Sequence, residues 1–437
     1  MKRIIFLIAS IVFTTQIGFS QSIDKAKLDS YFKALEDDNR FMGSVALSQD
    51  GKLVYTKAVG FSDVETKTKA IESTKYKIGS ISKTFTATLV FKAIEENRLS
   101  LTETIEKYFP SIQHAGKITI SQLLGHRSGI YNYTNNPDNM KLKTKKHTEK
   151  ELLDVIAKGG SDFEPDSKFS YSNSNYILLT FILQRVYGKS ISALLKEKIT
   201  GPLALKSTYF SKPIDLADNE SNSYAFNGSW IKESETDMSV ALGAGAIVSK
   251  PTDLLKFADA LFNGKLISMK SVEVMKTIRD GYGMGLFPVP FYDKKGYSHT
   301  GGIDKFTSVF GYFPEGKIAY ALTSNGSSYN NNTIVIALLS SVYNKPYDVP
   351  VFNVYTADDL SKYVGVYSSP SFPLKVTITK KEKTLIGQAS GQSAFPLEVT
   401  EMDKFKFEQA GLVLEFQPLE NKMILKQGGG VFTFSRE

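Results

Sequence analysis

Two hairpin signals lie far apart in this 437-residue chain, with a mainly helical stretch between them. Runs 44–48 and 53–59 flank Gln49-Asp50-Gly51-Lys52, and runs 306–313 and 318–324 flank Pro314-Glu315-Gly316-Lys317. An isolated two-stranded hairpin has too little apolar face to persist in water, so each must find further strands. The economical solution is one antiparallel sheet made from both ends of a domain. Amphipathic segments 23–35 and 333–343 then close its face, and the inserted helices lie beside it. The fold class expected is α+β, three layers, with a cleft between the sheet and the helical insertion. Helices are expected at 120–124, 151–157, 173–186 and 251–262 in that insertion.

The segment Gly79-Ser80-Ile81-Ser82-Lys83-Thr84-Phe85-Thr86 carries the chemistry. Ile81, Phe85, Leu89, Ala93 and Ile94 recur at helical spacing, so Ser80 and Lys83 share one face of a first helical turn. A serine hydroxyl is a poor nucleophile until a base takes its proton, and a lysine becomes that base when burial lowers its pKa. The positive end of the helix favours both a neutral amine and a developing oxyanion. The same S-x-x-K spacing occurs at Ser22, Ser30 and Ser229 within ordinary surface sequence, so the spacing alone is cheap. Its company further along the chain distinguishes Ser80.

That company has two parts. Tyr171 and Asn173 stand in Phe169-Ser170-Tyr171-Ser172-Asn173, between a proline-containing aromatic loop and a helix start. A phenol beside a lysine can relay a proton, and Asn173 either hydrogen-bonds substrate and lysine or caps the helix. The second part is His299-Thr300-Gly301-Gly302, just ahead of the run 306–313, which reads as a sheet-edge strand. Paired glycines let the backbone come close to a substrate, so the N–H groups of Gly302 and Ser80 are candidate oxyanion donors.

Composition narrows the setting. Lys2 and Arg3 precede the apolar run 4–13 and the small, polar residues to Ser20, which reads as a secretory signal peptide over 1–20. No later run approaches the roughly 20 apolar residues needed to cross a bilayer. The chain has no cysteine, which excludes disulfides and thiolate chemistry. The expectation is an exported protein, periplasmic or secreted. A formal charge of +8 includes the two leader cations, and Lys141, Lys143, Lys145, Lys146 and Lys150 form a basic run that reads as a solvated loop. No nucleic-acid-binding motif accompanies it.

In this order and at these separations, Ser80-x-x-Lys83, Tyr171-x-Asn173 and His299-Thr300-Gly301 resemble the serine β-lactamase and penicillin-binding-protein-like hydrolases. The likeness is strongest to the branch holding class C β-lactamases, D-alanyl-D-alanine carboxypeptidases, D-aminopeptidases and esterases. Residues 118–129, ending Gly125-His126-Arg127-Ser128-Gly129, match as well, as do 243–249 and Gly283-Met284-Gly285. The resemblance covers about residues 24 to 343. It implies that Ser80 is acylated, Lys83 is its base, Tyr171 relays protons, and Asn173, His299, Thr300, Gly301 and Gly302 contact substrate. Three departures stand out: His299 where a lysine commonly begins the third motif, Pro165-Asp166 for a proline-glycine pair, and Ala204 for the glycine of proline-leucine-glycine. A histidine is mostly uncharged at neutral pH, which disfavours a carboxylate-bearing substrate. His126 is expected to be structural.

Residues 345–356, with Pro346 and Pro350, read as a linker between a hydrolase domain over 21–344 and a tail over 357–437. Seven short strand-like runs in the tail predict a small β-sandwich or barrel. No G-x-S-x-G elbow, H-E-x-x-H or phosphate-binding glycine loop occurs, and the chain has four histidines: His114, His126, His147 and His299. No metal or other cofactor is expected. The reading is a serine hydrolase of small amide or ester substrates, peptidase or esterase, with β-lactamase and slow penicillin-binding sensor as alternatives.

Overall fold

A computed structural model of the chain describes residues 23–135, 143–352, 357–407 and 410–437. The expected leader, Lys141, and residues 353–356 of the expected linker lie outside them. The chain forms two compact units, divided between Asp348 and Val349.

The first unit is built on a six-stranded sheet. Its strands are β1 (Phe41–Gln49), β2 (Lys52–Val59), β3 (Phe287–Phe291), β4 (Lys294–Ile303), β5 (Phe306–Phe313) and β6 (Ile318–Ser327). Their order is β3-β4-β5-β6-β1-β2, all antiparallel, so the two hairpins meet where Val45 faces Leu322 and Ala46 faces Ala321. Along β1 every residue from Phe41 to Ser48 is buried, because helices cover both faces. Helices α1 (Lys25–Asp37) and, late in the chain, α6 (Asn331–Val342) lie on one face. Between them in sequence come α2 (Ser82–Glu95), α3 (Asn173–Tyr187), α4 (Met238–Gly245) and α5 (Pro251–Phe262). Of these, α5 packs directly on β1, β5 and β6, and α2 lies beyond it, with Phe85 stacked on Phe257 at 3.7 Å between ring centroids.

Two differences from the sequence reading concern strands. β3 is written Phe-Pro-Val-Pro-Phe, and two prolines argue against a strand interior. It forms because it is the outer edge: Pro288 and Pro290 pair with Tyr297 and Lys295 and have no N–H to lose on the open side. Consequently the 306–313 run is an interior strand, not the edge, and His299–Gly302 lies within β4 instead of ahead of a strand.

The second unit carries a short helix, Ala357–Ser361, and a closed eight-stranded barrel running from Gly365–Ser369 to Gly430–Arg436. Tyr363, Phe405, Leu414, Met423 and Phe434 fill its interior. The sequence left sandwich and barrel open and missed the strand Gly365–Ser369. Pairing of that strand with both Phe372–Lys381 and Gly430–Arg436 closes the ring. Among the described residues no single helix is long and apolar enough to cross a membrane.

The departures Asp166 and Ala204 now have a common geometry, since their φ angles are +68° and +53°. Both are left-handed positions where glycine fits without cost. Asp166 compensates through ion pairs with Arg127 and Arg279. Ala204 is exposed and carries only a methyl group. Relief of its left-handed strain exceeds the added entropy of an unfolded glycine, so Ala204→Gly should stabilise the first unit by about 0.5–1 kcal/mol. The midpoint of urea unfolding, followed by tryptophan fluorescence, measures it.

Candidate active site

Helix α2 positions the two central side chains. Gly79–Ile81 forms one tight 3-10 turn ahead of it, and Ser80 sits on that turn. The helix is buried from Ser82 through Phe91, so it is enclosed on every side. Its threonines satisfy themselves: the Thr84 and Thr86 hydroxyls donate to the carbonyls of Gly285 and Gly243. Lys83 is fully buried in this wall. Its Nζ lies 3.0 Å from Ser80 Oγ, 2.8 Å from Asn173 Oδ1 and 2.7 Å from the Ala244 carbonyl oxygen.

Burial holds the Lys83 amine well below the ordinary lysine pKa, with no carboxylate among its contacts to offset the loss of water. A neutral amine has two N–H donors and one lone pair. Asn173 Oδ1 and the Ala244 carbonyl can only accept, so they take both donors. The lone pair is left facing the Ser80 hydroxyl.

Tyr171 precedes α3, and its ring lies 4.9 Å from Lys83 Nζ. Burial raises its phenol pKa above the normal value, and the neighbouring Ser80 side chain offsets part of that rise. The helix N-cap is Ser172, whose side chain makes no capping bond. Asn173 is therefore not a capping asparagine: its carboxamide serves Lys83 on one side and the Thr134 hydroxyl on the other.

The glycine strand closes the opposite wall. A Cβ on Gly79 would stand 2.7 Å from the Gly302 nitrogen, and one on Gly301 would stand 2.0 Å from the Ile78 carbonyl oxygen. Those contacts bring the Gly302 N–H against the serine turn, which Ser308 Oγ also pins through the Ile78 carbonyl at 2.8 Å. A cleft of about 330 Å³ opens here, lined by Ser80, Tyr171, Phe287, His299, Thr300, Gly301 and Gly302.

His299 is buried, not a surface histidine. Nδ1 lies 2.6 Å from the Thr300 carbonyl and must donate to it, which leaves Nε2 to accept from the Tyr282 hydroxyl at 3.2 Å. Burial first, and second the charge Lys83 carries when protonated, push its pKa down to about 3. It is therefore a neutral wall with both nitrogens engaged. His126 sits deeper, with Nδ1 accepting from the Ser172 N–H at 3.2 Å and the ring 4.2 Å from that of Tyr171. Sequence reasoning missed the Ala244 carbonyl, Tyr282 and Phe287. Of these only Ala244 and the Gly283-Met284-Gly285 neighbours of Tyr282 lay in matched segments, and a backbone acceptor leaves no residue-type signal.

The Beta-lactamase family profile matches residues 28–339, most of the chain. The chain belongs to the beta-lactamase family. It is a serine hydrolase of that fold, followed by an all-β barrel. A teichoic acid D-alanine hydrolase from Staphylococcus aureus is 28% identical over 333 residues, spanning 74% of this chain and 79% of that protein. An octameric penicillin-binding protein homologue from Pyrococcus abyssi superposes with a TM-score of 0.70 at 26% identity, covering 94% of this chain and 100% of that one. A D-amino acid amidase from Ochrobactrum anthropi gives 0.64 at 26% identity over 72% and 98% of the two chains.

If neutral Lys83 is the form that acts, Ser80 reactivity must follow its titration. The rate of Ser80 labelling by an uncharged fluorophosphonate should be low in acid and rise with pH. The midpoint should lie well below lysine's ordinary 10.5, because burial depresses the pKa and keeps the base form present at lower pH.

Proposed function

We propose that this beta-lactamase-family enzyme hydrolyses small esters or amides of D-amino acids, D-alanyl esters foremost, through an acyl-Ser80 intermediate. The observation that carries the reading is Lys83 Nζ at 3.0 Å from Ser80 Oγ with both of its N–H groups committed elsewhere. Ser80 Oγ attacks the substrate carbonyl carbon while its proton passes to the Lys83 lone pair. The Ser80 and Gly302 N–H groups face the resulting oxyanion, an arrangement worth about 3–4 kcal/mol to a transition state. Collapse expels the alcohol or amine, which takes its proton from the Tyr171 hydroxyl, replenished from Lys83. Water then attacks the acyl carbon by the same path in reverse, releasing the acid and restoring Ser80. The raised phenol and lowered amine support these directions, with Lys83 accepting the first proton and Tyr171 donating the second.

The choice of substrate follows from the cleft lining. None of its seven residues carries a cation, and His299 is neutral with both nitrogens occupied. A substrate carboxylate would enter without a cationic partner, at a desolvation cost of several kcal/mol. Leaving groups that are neutral or cationic escape that cost. The relatives named for D-alanine hydrolysis and D-amino acid amide cleavage support the same acyl group. The leader-like run 4–13 supports action outside the cytoplasm.

Intact-mass spectrometry after fluorophosphonate treatment should show one adduct on the wild type and none on Ser80→Ala. Turnover by Ser80→Ala should fall by at least about 10³-fold, and retained turnover overturns the mechanism. In a second measurement, kcat/KM for a D-alanyl ester lacking a carboxylate should exceed that for a D-alanyl-D-alanine peptide by at least about tenfold, a floor below the several kcal/mol of an unpaired charge. A preference for the peptide, or for a penicillin, would reassign the substrate.

A further inference from the structure

The acting geometry depends on which way the Asn173 carboxamide faces, because its oxygen and nitrogen ends are nearly the same shape. If the nitrogen faced Lys83, it would donate to the amine lone pair, and an amine N–H would turn toward Ser80. The base would then be aimed away from its proton. The structure contains a chain of hydrogen bonds that decides the matter, and it starts from a group that cannot flip.

That group is the Asn173 backbone N–H, an obligate donor, which lies 3.0 Å from Asn132 Oδ1. The Asn132 oxygen is thereby fixed, with its nitrogen directed to Asn135 Oδ1 at 3.1 Å. The Thr134 hydroxyl is 3.0 Å from the same Asn132 oxygen. An amide oxygen only accepts, so Thr134 must donate to it and presents a lone pair to its other neighbour. That neighbour is the Asn173 side chain at 3.1 Å, which must answer with its nitrogen. Its oxygen is then the end that meets Lys83 at 2.8 Å.

The loop holding Asn132 and Thr134 is itself anchored. Tyr133 is buried between them, its hydroxyl donates to the Val240 carbonyl at 2.6 Å, and its N–H donates to Ser174 Oγ at 3.1 Å. Ser174 in turn donates to the Tyr131 carbonyl at 2.7 Å. The two polar side chains thus flank a fixed aromatic peg.

We propose that Thr134 and Asn132 are positioning residues for catalysis: they lock the Asn173 carboxamide so that the Lys83 lone pair points at Ser80. Neither touches the Ser80 hydroxyl. The inference rests on Ser80 acylation with Lys83 as base, and adds what sets the direction of that base.

The test compares wild type, Thr134→Val and Thr134→Ser by Ser80 labelling with an uncharged fluorophosphonate across pH, with thermal melting of each. Valine keeps the shape and removes the hydroxyl, so the carboxamide is free to turn. The plateau labelling rate should fall about tenfold, the scale of one directed hydrogen bond. Its acid limb should move to lower pH, because an amide nitrogen facing the amine disfavours the ammonium form. KM for a D-alanyl ester should change little, and Thr134→Ser should restore both rate and pH midpoint. A merely structural loss would lower the melting temperature without moving the midpoint. A Thr134→Val protein with wild-type plateau and midpoint overturns the lock, as does Thr134→Ser failing as badly as valine. Absence of Ser80 labelling in the wild type itself overturns the underlying mechanism instead, so the two failures are distinguishable.

Discussion

Placing an amine where water cannot reach it is expensive, and the first unit is organised around one such amine. Lys83 lies inside a helix buried on all sides, with oxygen acceptors for its N–H groups and no carboxylate in contact. Three separate chain segments are needed to hold it. α2 supplies the stem, the start of α3 supplies Asn173, and the turn of α4 supplies the Ala244 carbonyl. That turn is bent at Leu242, whose φ of +36° and ψ of −136° fall in a region normally kept for glycine. Gly243 follows because a Cβ there would meet Thr180 Oγ1 at 2.3 Å and Thr86 Oγ1 at 2.6 Å. The bend and the glycine together let the carbonyls of residues 243 and 244 turn onto Thr86 and Lys83.

The opposite wall obeys a different constraint, the close approach of two backbones. β4 reaches the serine turn because residues 79 and 301 have no side chains, and Ser308 and Ile78 clamp it in place. The result is a cleft with the Ser80–Lys83 pair on its helical side and the Gly302 N–H on its sheet side. Between them His299, held by Tyr282 and Thr300, substitutes a neutral surface for the cation that the family resemblance would lead one to expect.

Much of this was legible in the residues. The Gly51 and Gly316 turns gave both hairpins, and the 3.6-residue spacing of Ile81, Phe85 and Leu89 put Ser80 and Lys83 on one face. Other parts were hidden for identifiable reasons. Pro288 and Pro290 disguised β3, since only its place at the sheet's rim makes prolines harmless there. The strand Gly365–Ser369 is too short and polar to announce itself, and forms because the barrel needs a member between its first and last neighbours. Asn132 and Thr134 drew no reading from the sequence, because hydrogen-bond direction is invisible in composition.

The sequence by itself determined the candidate groups, their spacing on one helical turn, the pairing of distant hairpins and the absence of a lysine at position 299. Those properties are set by residue type and local periodicity. Only the tertiary structure decided that Lys83 is dry, that its two N–H groups are taken by Asn173 and Ala244, and that His299 spends both nitrogens inside the protein. Protonation state and hydrogen-bond direction depend on what surrounds a group in space, and those neighbours come from segments far apart along the chain.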